Sequence, residues 1–246
     1  MAGPLVSCIV PVHDAERYLV ETLDSVFQQT HAPVEVIVVD DGSTDATAAV
    51  ARAHPGGAKV VSQPQRGHAA ARNRGVAQAM GSFVAFVDGD DLWDPAKLVR
   101  QLARFDEQPD LGVVFTHLEN FLSPEIDGGA AAAPDPAPVP GYTSVTMLAR
   151  REVFTRVGPL DESLAHGNDR DWFCRAAEAG IGLAMLPDVL VRRRLHGANR
   201  SAQHSARSRA EYLRILKRSL DRRRAAHEGA ILEYPFANRR EGKRPA

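Results

Sequence analysis

Cysteine is nearly absent from this chain of 246 residues, and the two that occur, Cys8 and Cys174, have no spacing that would make them metal ligands. Each sits in an apolar stretch, one in a predicted strand and the other in a predicted helix. Both are therefore expected as buried thiols, with no disulfide. Long hydrophobic runs are missing too. The stretch 5–12 is too short for a signal peptide or a membrane span, Met1-Ala2-Gly3-Pro4 carries no basic flank, and no later segment is long enough. A cytoplasmic location is the expectation. Two phosphate-binding signatures are also lacking. No Gly-x-x-x-x-Gly-Lys-Ser/Thr occurs, which excludes a P-loop, and no Gly-x-Gly-x-x-Gly follows the first predicted strand, which argues against a dinucleotide dehydrogenase.

What is present is globular in composition, 44% hydrophobic and 25% charged, and long enough for one large α/β domain. The segments 5–10, 34–39 and 83–87 are apolar with almost no alternation, as in strands buried on both faces of a parallel sheet. Lys59 to Ser62 is a further short strand. Helices are predicted over 15–29, from the Ser43/Thr44/Asp45 cap to the His54-Pro55-Gly56-Gly57 breaker, and over 67–80. Pro11 is expected to stop the first strand. Short strand and helix units in alternation imply a right-handed α/β sheet whose ligands bind at the carboxyl ends of the strands.

Beyond Trp93 the pattern loosens. Helices are predicted over 95–107, 150–156, 168–178 and 206–227, and strands over 112–116, 181–186 and 189–195. Between them lies the low-complexity run 128–138, part of a loop, 124–141, expected to be mobile. The net charge of −1 hides a polarity. Residues 191–246 hold 16 Lys and Arg against 5 Asp and Glu, net +11, so residues 1–190 carry net −12. The basic end suits an anionic lipid surface, a phosphorylated acceptor, nucleic acid or the acidic body of the same chain, or it is a solvated helix face.

Two acidic clusters carry the chemistry. Asp40 and Asp41 end one strand, and Asp88 and Asp90, with Asp91, end another. Carboxylates crowded at a strand terminus repel unless donors or a cation offset them, and Gly89 lets the chain bend so that Asp88 and Asp90 reach one side. One cluster then suits a base or ribose, and the other Mg²⁺ or Mn²⁺ bridging to a diphosphate. The competing reading is an Asp-Gly turn that caps the helix opened by Pro95.

These residues, in order, resemble those of family 2 glycosyltransferases of the GT-A fold: Val6-Ser7-Cys8-Ile9-Val10-Pro11-Val12, Gln29-Thr30, the stretch 35–45 ending Asp40-Asp41-Gly42-Ser43-Thr44-Asp45, Ala71-Arg72-Asn73, and Phe86-Val87-Asp88-Gly89-Asp90-Asp91. The resemblance spans about 5–200. It implies a Rossmann-like, mostly parallel central sheet flanked by helices, in a single domain over 1–205 with a nucleotide-sugar half (1–110) and an acceptor half (111–205), followed by a basic helix and tail (206–246). It implies that Pro11, Asp40 and Asp41 cradle the nucleoside, that Arg72 lies near the nucleotide, and that Asp88 and Asp90 form the DxD metal motif, with Asp90 the direct ligand. In Gly167-Asn168-Asp169-Arg170-Asp171-Trp172 it implies Asp169 as the base, with Asn168 where the family has Glu; Asp171 is the runner-up, and an N-terminal helix cap is the competing role for Asp169. His196 resembles the histidine of a terminal Arg-x-His-x-x-x-x-Ser region and reads either as a metal or diphosphate contact or as a surface histidine. His13 and Asp14 stand where Tyr and Asn are common.

The implied activity is metal-dependent, inverting transfer of one sugar from a nucleotide-diphosphate sugar to a saccharide or lipid-linked acceptor, in cell-surface polysaccharide or glycolipid assembly. Nucleic acid is not an expected partner, and the basic helix is a candidate for peripheral membrane contact. The Gln-x-x-Arg-Trp motif of processive synthases is missing. A sugar-phosphate nucleotidyltransferase would need a basic, glycine-rich loop where Pro11-Val12-His13-Asp14 stands. A non-catalytic nucleotide- or glycan-binding relative is the alternative that Asn168 supports.

Overall fold

The computed structural model describes residues 3–124, 137–197 and 205–226. Most of the expected loop at 124–141 and the end of the tail lie outside the described residues. Nine strands form one sheet: β1 Val6–Val12, β2 Val34–Asp41, β3 Lys59–Gln63, β4 Phe83–Phe86, β5 Leu92–Trp93, β6 Leu111–Leu122, β7 Val139–Pro140, β8 Leu148–Arg150 and β9 Gly182–Leu195. Their order is β3-β2-β1-β4-β8-β6-β9-β5, with β7 paired to β6. Strands β1 to β4 are mutually parallel. The second half adds antiparallel β8, β7 and β5 around a long parallel β6–β9 pair.

The helices are α1 Leu19–Phe27, α2 Thr47–Ala53, α3 His68–Gln78, α4 Lys97–Glu107, α5 Arg151–Val157, α6 Asn168–Glu178 and α7 Ser205–Ala226. Unalternating strands become two cores. Val6, Cys8 and Val10 point to one face, with Leu19 and Leu23 of α1 and Leu98 and Phe105 of α4. Ile9, Ile37 and Val84 point to the other, with Ala71 of α3, Phe154 of α5 and Trp172 of α6. Burial on both faces explains the missing polar positions. Cys8 and Cys174 are buried, with no disulfide among the described residues.

Three expectations are corrected. Pro11 does not stop β1, because the strand runs on to Val12. Ile9 bonds to the β4 side through its carbonyl, and Pro11, two residues on, faces the same side past the last paired residue, Phe86. No ladder bond is forfeited by its missing N–H. The first helix starts at Leu19 and not at Ala15: the residues before it form a turn in which the Tyr18 and Leu19 amides both donate to the Ala15 carbonyl (3.1 Å), while the amides of Ala15 and Glu16 donate to Thr47 Oγ1 and Asp45 Oδ2 of the loop after β2 (2.7 and 3.1 Å). The two predicted strands 181–186 and 189–195 form one strand, with register shifts against β6 around His117 that absorb Pro187-Asp188.

One buried charge stands apart from the site. Lys97 is fully buried, with Nζ 2.9 Å from Gln101 Oε1 and 4.1 Å from the centre of the Trp93 ring. Gln101 Nε2 donates onward to the carbonyls of Val114 and Thr146. Burial pulls the Lys97 ammonium down from 10.5 to about 7. Above pH 7 the folded lysine is therefore neutral while the unfolded one still binds a proton. The unfolded state binds more protons in that window, so stability rises as pH increases from 7. The buried Cys8 thiol, pushed up to about 12 from 9.0, acts oppositely above pH 9. Urea unfolding between pH 7 and 9 should show a positive slope approaching about 1.4 kcal/mol per pH unit, and Lys97→Met should remove most of it.

Candidate active site

A cleft of about 890 Å³ opens at the carboxyl ends of β1, β2 and β4 and is closed from the second half of the chain by Thr143, the segment 165–169, Arg193, His196 and two side chains of α7. Its floor is the turn after β4. α3 reaches this turn because Gly75 packs on β1, where a Cβ would lie 2.3 Å from Ile9 Cγ2. That approach brings the buried Arg72 within 2.7 Å of Asp88 Oδ1. Burial raises the Asp88 carboxyl, but Arg72, with His68 and Arg193, overrides it and holds it below the ordinary range. At Asp90 the balance goes the other way. Burial, then repulsion from Asp88, raises it against the opposing hydrogen bond of His196, whose Nε2 lies 2.8 Å from Asp90 Oδ2. Asp91 is raised furthest, by burial and by both neighbouring carboxylates, and it accepts the amide of Arg194.

The structure thus brings together Pro11, Asp41, Arg72, Asp88, Asp90, Asp169 and His196. Asp40 does not line the cleft; it is buried and its Oδ1 accepts the Ser43 amide at 3.0 Å, shaping the turn. Asp41 lines the cleft with both oxygens in use, accepting from Gln63 Nε2 and the amides of Arg66 and Gly67 (2.7–2.8 Å). It thereby orders the entrance to α3. His13 bonds the Asp41 carbonyl and Gln65, and Asp14, held at φ 49, accepts the Thr44 amide.

Asp169 stands in the first turn of α6, which begins after Gly167 in the left-handed region (φ 71). Its Oδ2 accepts from Thr143 Oγ1 and the Ser144 amide, both at 3.2 Å, and Oδ1 accepts the Arg170 amide. The helix cap is Gly167, so the carboxylate is turned into the cleft and held from the neighbouring loop. Asn168 is buried, with Oδ1 3.4 Å from Arg72 Nη1. Asp171, the runner-up, is buried on the other side, paired with Arg175 at 2.8 Å and near Arg222 at 3.8 Å. Trp172 donates to the Gly158 carbonyl and stacks on Phe154, and Trp93 lies under Lys97; both are packing residues.

Asp91 belongs to the run of carboxylates read at the end of β4; His68, Arg193, Arg209 and Tyr212 were not signalled by the sequence as cleft residues, because their places depend on long-range packing. Among the described residues no three His, Cys, Asp or Glu side chains are gathered to hold a metal unaided. The donor set still fits a hard divalent ion. Asp90 and His196 already meet, Asp88 adjoins them, and such ions take their remaining positions from phosphate oxygens and water. Arg72 Nε, buried in the same wall, has no hydrogen-bond partner among the described residues, which suits a phosphate oxygen.

The model of the family described as glycosyl transferase family 2 matches residues 7–156. A glycosyltransferase of Bacillus subtilis, EpsJ, is 36% identical over 207 residues, covering 76% of this chain and 60% of that protein. The chain spans about two thirds or less of the length of the curated relatives it matches. Among solved structures, S. aureus TarS 1-349 in complex with UDP-GlcNAc is 24% identical with a TM-score of 0.66, over 82% of this chain and 61% of that one. The mannosyltransferase PcManGT from Pyrobaculum calidifontis, in complex with GDP-Man and Mn²⁺, is 23% identical with a TM-score of 0.64, over 87% and 67%. These likenesses establish the shared fold.

Removing Arg72 would strand Asp88 beside Asp90. Arg72→Met should cost about 3 kcal/mol in chemical unfolding, as for a broken, largely buried ion pair. Adding Asp88→Asn should recover more than half of that.

Proposed function

The chain belongs to glycosyl transferase family 2, and from that premise we propose that it transfers one sugar, with inversion, from a nucleotide-diphosphate sugar to an acceptor hydroxyl. The observation that carries this reading is the meeting of two unlike carboxylate groups in one cleft: the Asp88–Asp90–His196 cluster at the strand ends and Asp169 at the start of α6. The donors UDP-GlcNAc and GDP-Man in the neighbouring structures are of the proposed class.

In this reading Pro11 and the loops ordered by Asp41 receive the nucleoside, while Arg72 faces the phosphates. Asp40 acts by shaping the turn beneath. Asp169, held by Thr143 and the Ser144 amide, takes the acceptor's hydroxyl proton as that oxygen bonds to the anomeric carbon. The bond from that carbon to the diphosphate breaks in the same step, and its electron pair leaves with the phosphate. One displacement gives inversion. Asp88, Asp90 and His196 would hold Mg²⁺ or Mn²⁺, which when bound offsets the charge gathering on the departing diphosphate. Asn168 has a clear part: being neutral, it contacts Arg72 without competing with Asp88 for its charge.

The acceptor is proposed to be a saccharide or a lipid-linked saccharide in polysaccharide or glycolipid assembly. Among the described residues no helix is long and apolar enough to cross a membrane. The outer side of α7 nonetheless exposes Leu213 (69%) and Leu220 (44%) with Lys217 and Arg224 between and beside them, a pattern suited to an anionic surface.

Calorimetric titration with UDP-, GDP- and dTDP-sugars should show one nucleotide class binding with Mn²⁺, and binding lost with EDTA or in Asp90→Ala. Binding of none of them would leave a non-catalytic relative as the better reading. Asp169→Asn should keep donor affinity and lower transfer about a hundredfold or more. Flotation with phosphatidylglycerol vesicles should recover the protein, with phosphatidylcholine vesicles failing to do so; equal recovery of a Leu213→Ser, Leu220→Ser variant would remove the membrane contact.

A further inference from the structure

The basic helix α7 is built into the protein. Glu211, Ile215 and Ser219, four residues apart, form its buried side. Glu211 Oε2 accepts the His166 amide at 2.7 Å, while Ser219 Oγ and Arg222 Nε donate to Glu178 at 2.5 and 2.6 Å. Arg218 pairs with Asp161 at 3.2 Å. Tyr212 and Ile215 lie directly over Gly167, where a Cβ would come within 2.7 Å of Tyr212 Cε1. The first turns of α7 are thereby fixed over the short segment that delivers Asp169.

Two side chains near that end, Arg209 and Tyr212, line the cleft. Their place along the sheet edge differs from that of the nucleotide-side groups. Pro11, His13, Asp41 and Gln65 lie at or just beyond the ends of β1, β2 and β3, on one side of β4, whereas Thr143 and Asp169 come from the β8 side. The cations acting on Asp88 are Arg72, His68 and Arg193; Arg209 comes instead from α7, beside the segment that carries Asp169. The Arg170 guanidinium lies 4.3 Å from the centre of the Tyr212 ring, so positive charge flanks the aromatic side chain. Glu211 is buried and bound to the His166 amide, which leaves Asp169 as the carboxylate this end turns to the cleft.

We propose that Arg209 and Tyr212 form the acceptor subsite, and that they select an acceptor carrying a negative group, a phosphate ester or a carboxylate, close to the hydroxyl presented to Asp169. The subsite rests on the glycosyl-transfer reading above. A guanidinium fork matches either anion, and an aromatic side chain offers an apolar surface to the sugar ring. In this reading the acceptor meets α7 as well as Thr143 and the segment that carries Asp169.

The test is calorimetric titration of the full chain and of Arg209→Gln with glucose 6-phosphate, glucuronate and methyl glucoside. Mn²⁺ and saturating UDP, GDP or dTDP, whichever binds, occupy the diphosphate side; pyrophosphate takes their place if none binds. The wild type should hold one or both anionic probes about tenfold more tightly than methyl glucoside, and Arg209→Gln should lose that preference while its nucleotide affinity stays the same. A preference for glucose 6-phosphate alone identifies phosphate as the group read, and one for glucuronate alone identifies carboxylate. Equal affinity for all three probes, binding of none, or an unchanged preference in Arg209→Gln overturns the subsite. Failure of UDP, GDP and dTDP alike to bind with Mn²⁺ would instead count against the donor reading, whatever the probes do.

Discussion

Charge crowding at the end of β4 is the constraint around which the rest of the site is arranged. Three carboxylates within four residues cannot share a buried turn without donors, and each meets a different partner from a different part of the chain. Arg72 reaches Asp88 from α3, His196 reaches Asp90 from beyond β9, and the Arg194 amide reaches Asp91 from within β9. The Arg194 side chain adds a bond to the Asp90 carbonyl and an ion pair with Glu21 at 2.6 Å. A turn of four residues thus draws α1, α3 and β9 together. In a medium less polarisable than water such pairs are felt strongly, which is why the two halves of the sheet meet here.

The side of the cleft formed by β1 to β3 is organised differently, by hydrogen bonds between backbone amides and side-chain oxygens. The loop after β1 and the loop after β2 are laced together: Asp14 accepts the Thr44 amide and donates its own to Ser43 Oγ, Ala15 donates to Thr47 Oγ1, and Glu16 accepts the Ala46 amide. Two of these bonds take the amides of Asp14 and Ala15 and two take the amides of Thr44 and Ala46, so each loop donates to the other. Helix α1 starts four residues later than expected, at Leu19, and the residues before it form part of this rim. Asp41 extends the rim to the start of α3, so the cleft wall from β1 to β3 has few loose backbone groups to reorganise when a ligand arrives.

Much of this was legible in the sequence. Apolar runs without alternation gave the parallel half of the sheet because burial on both faces leaves no polar positions, and the carboxylate clusters fell at strand ends where the topology opens a crevice. The place of Asp169 in the cleft was legible through motif order, and Asp171 was separable from it because residues two apart on a helix point in nearly opposite directions. What was not legible depends on partners distant in sequence. Nothing local to Asp40 and Asp41 says that one shapes a turn and the other lines the cleft; that depends on where Ser43, Gln63 and Gly67 come to lie. Helix α1 looked longer because its apolar spacing is indifferent to the amides of Ala15 and Glu16. The single β9 was broken in the sequence by Pro187, which a pair of register shifts accommodates.

The charge polarity of the chain is the clearest case of a sequence signal whose meaning only packing supplies. A net +11 at one end and −12 over the rest reads as a free basic tail facing an acidic body. In the structure much of that difference is spent within the molecule: Arg192 on Glu119, Arg194 on Glu21, Arg218 on Asp161, and Arg222 on Glu178. These pairs hold β9 and α7 against the body, and exposed ones are individually weak. The lasting consequence is geometric. By anchoring α7 through Glu178 and the His166 amide, they fix Tyr212 over Gly167, and a helix that begins from a left-handed glycine under a fixed ring can present Asp169 in only one direction. The basic segment therefore acts on the Asp169 side of the cleft through position first and through charge second.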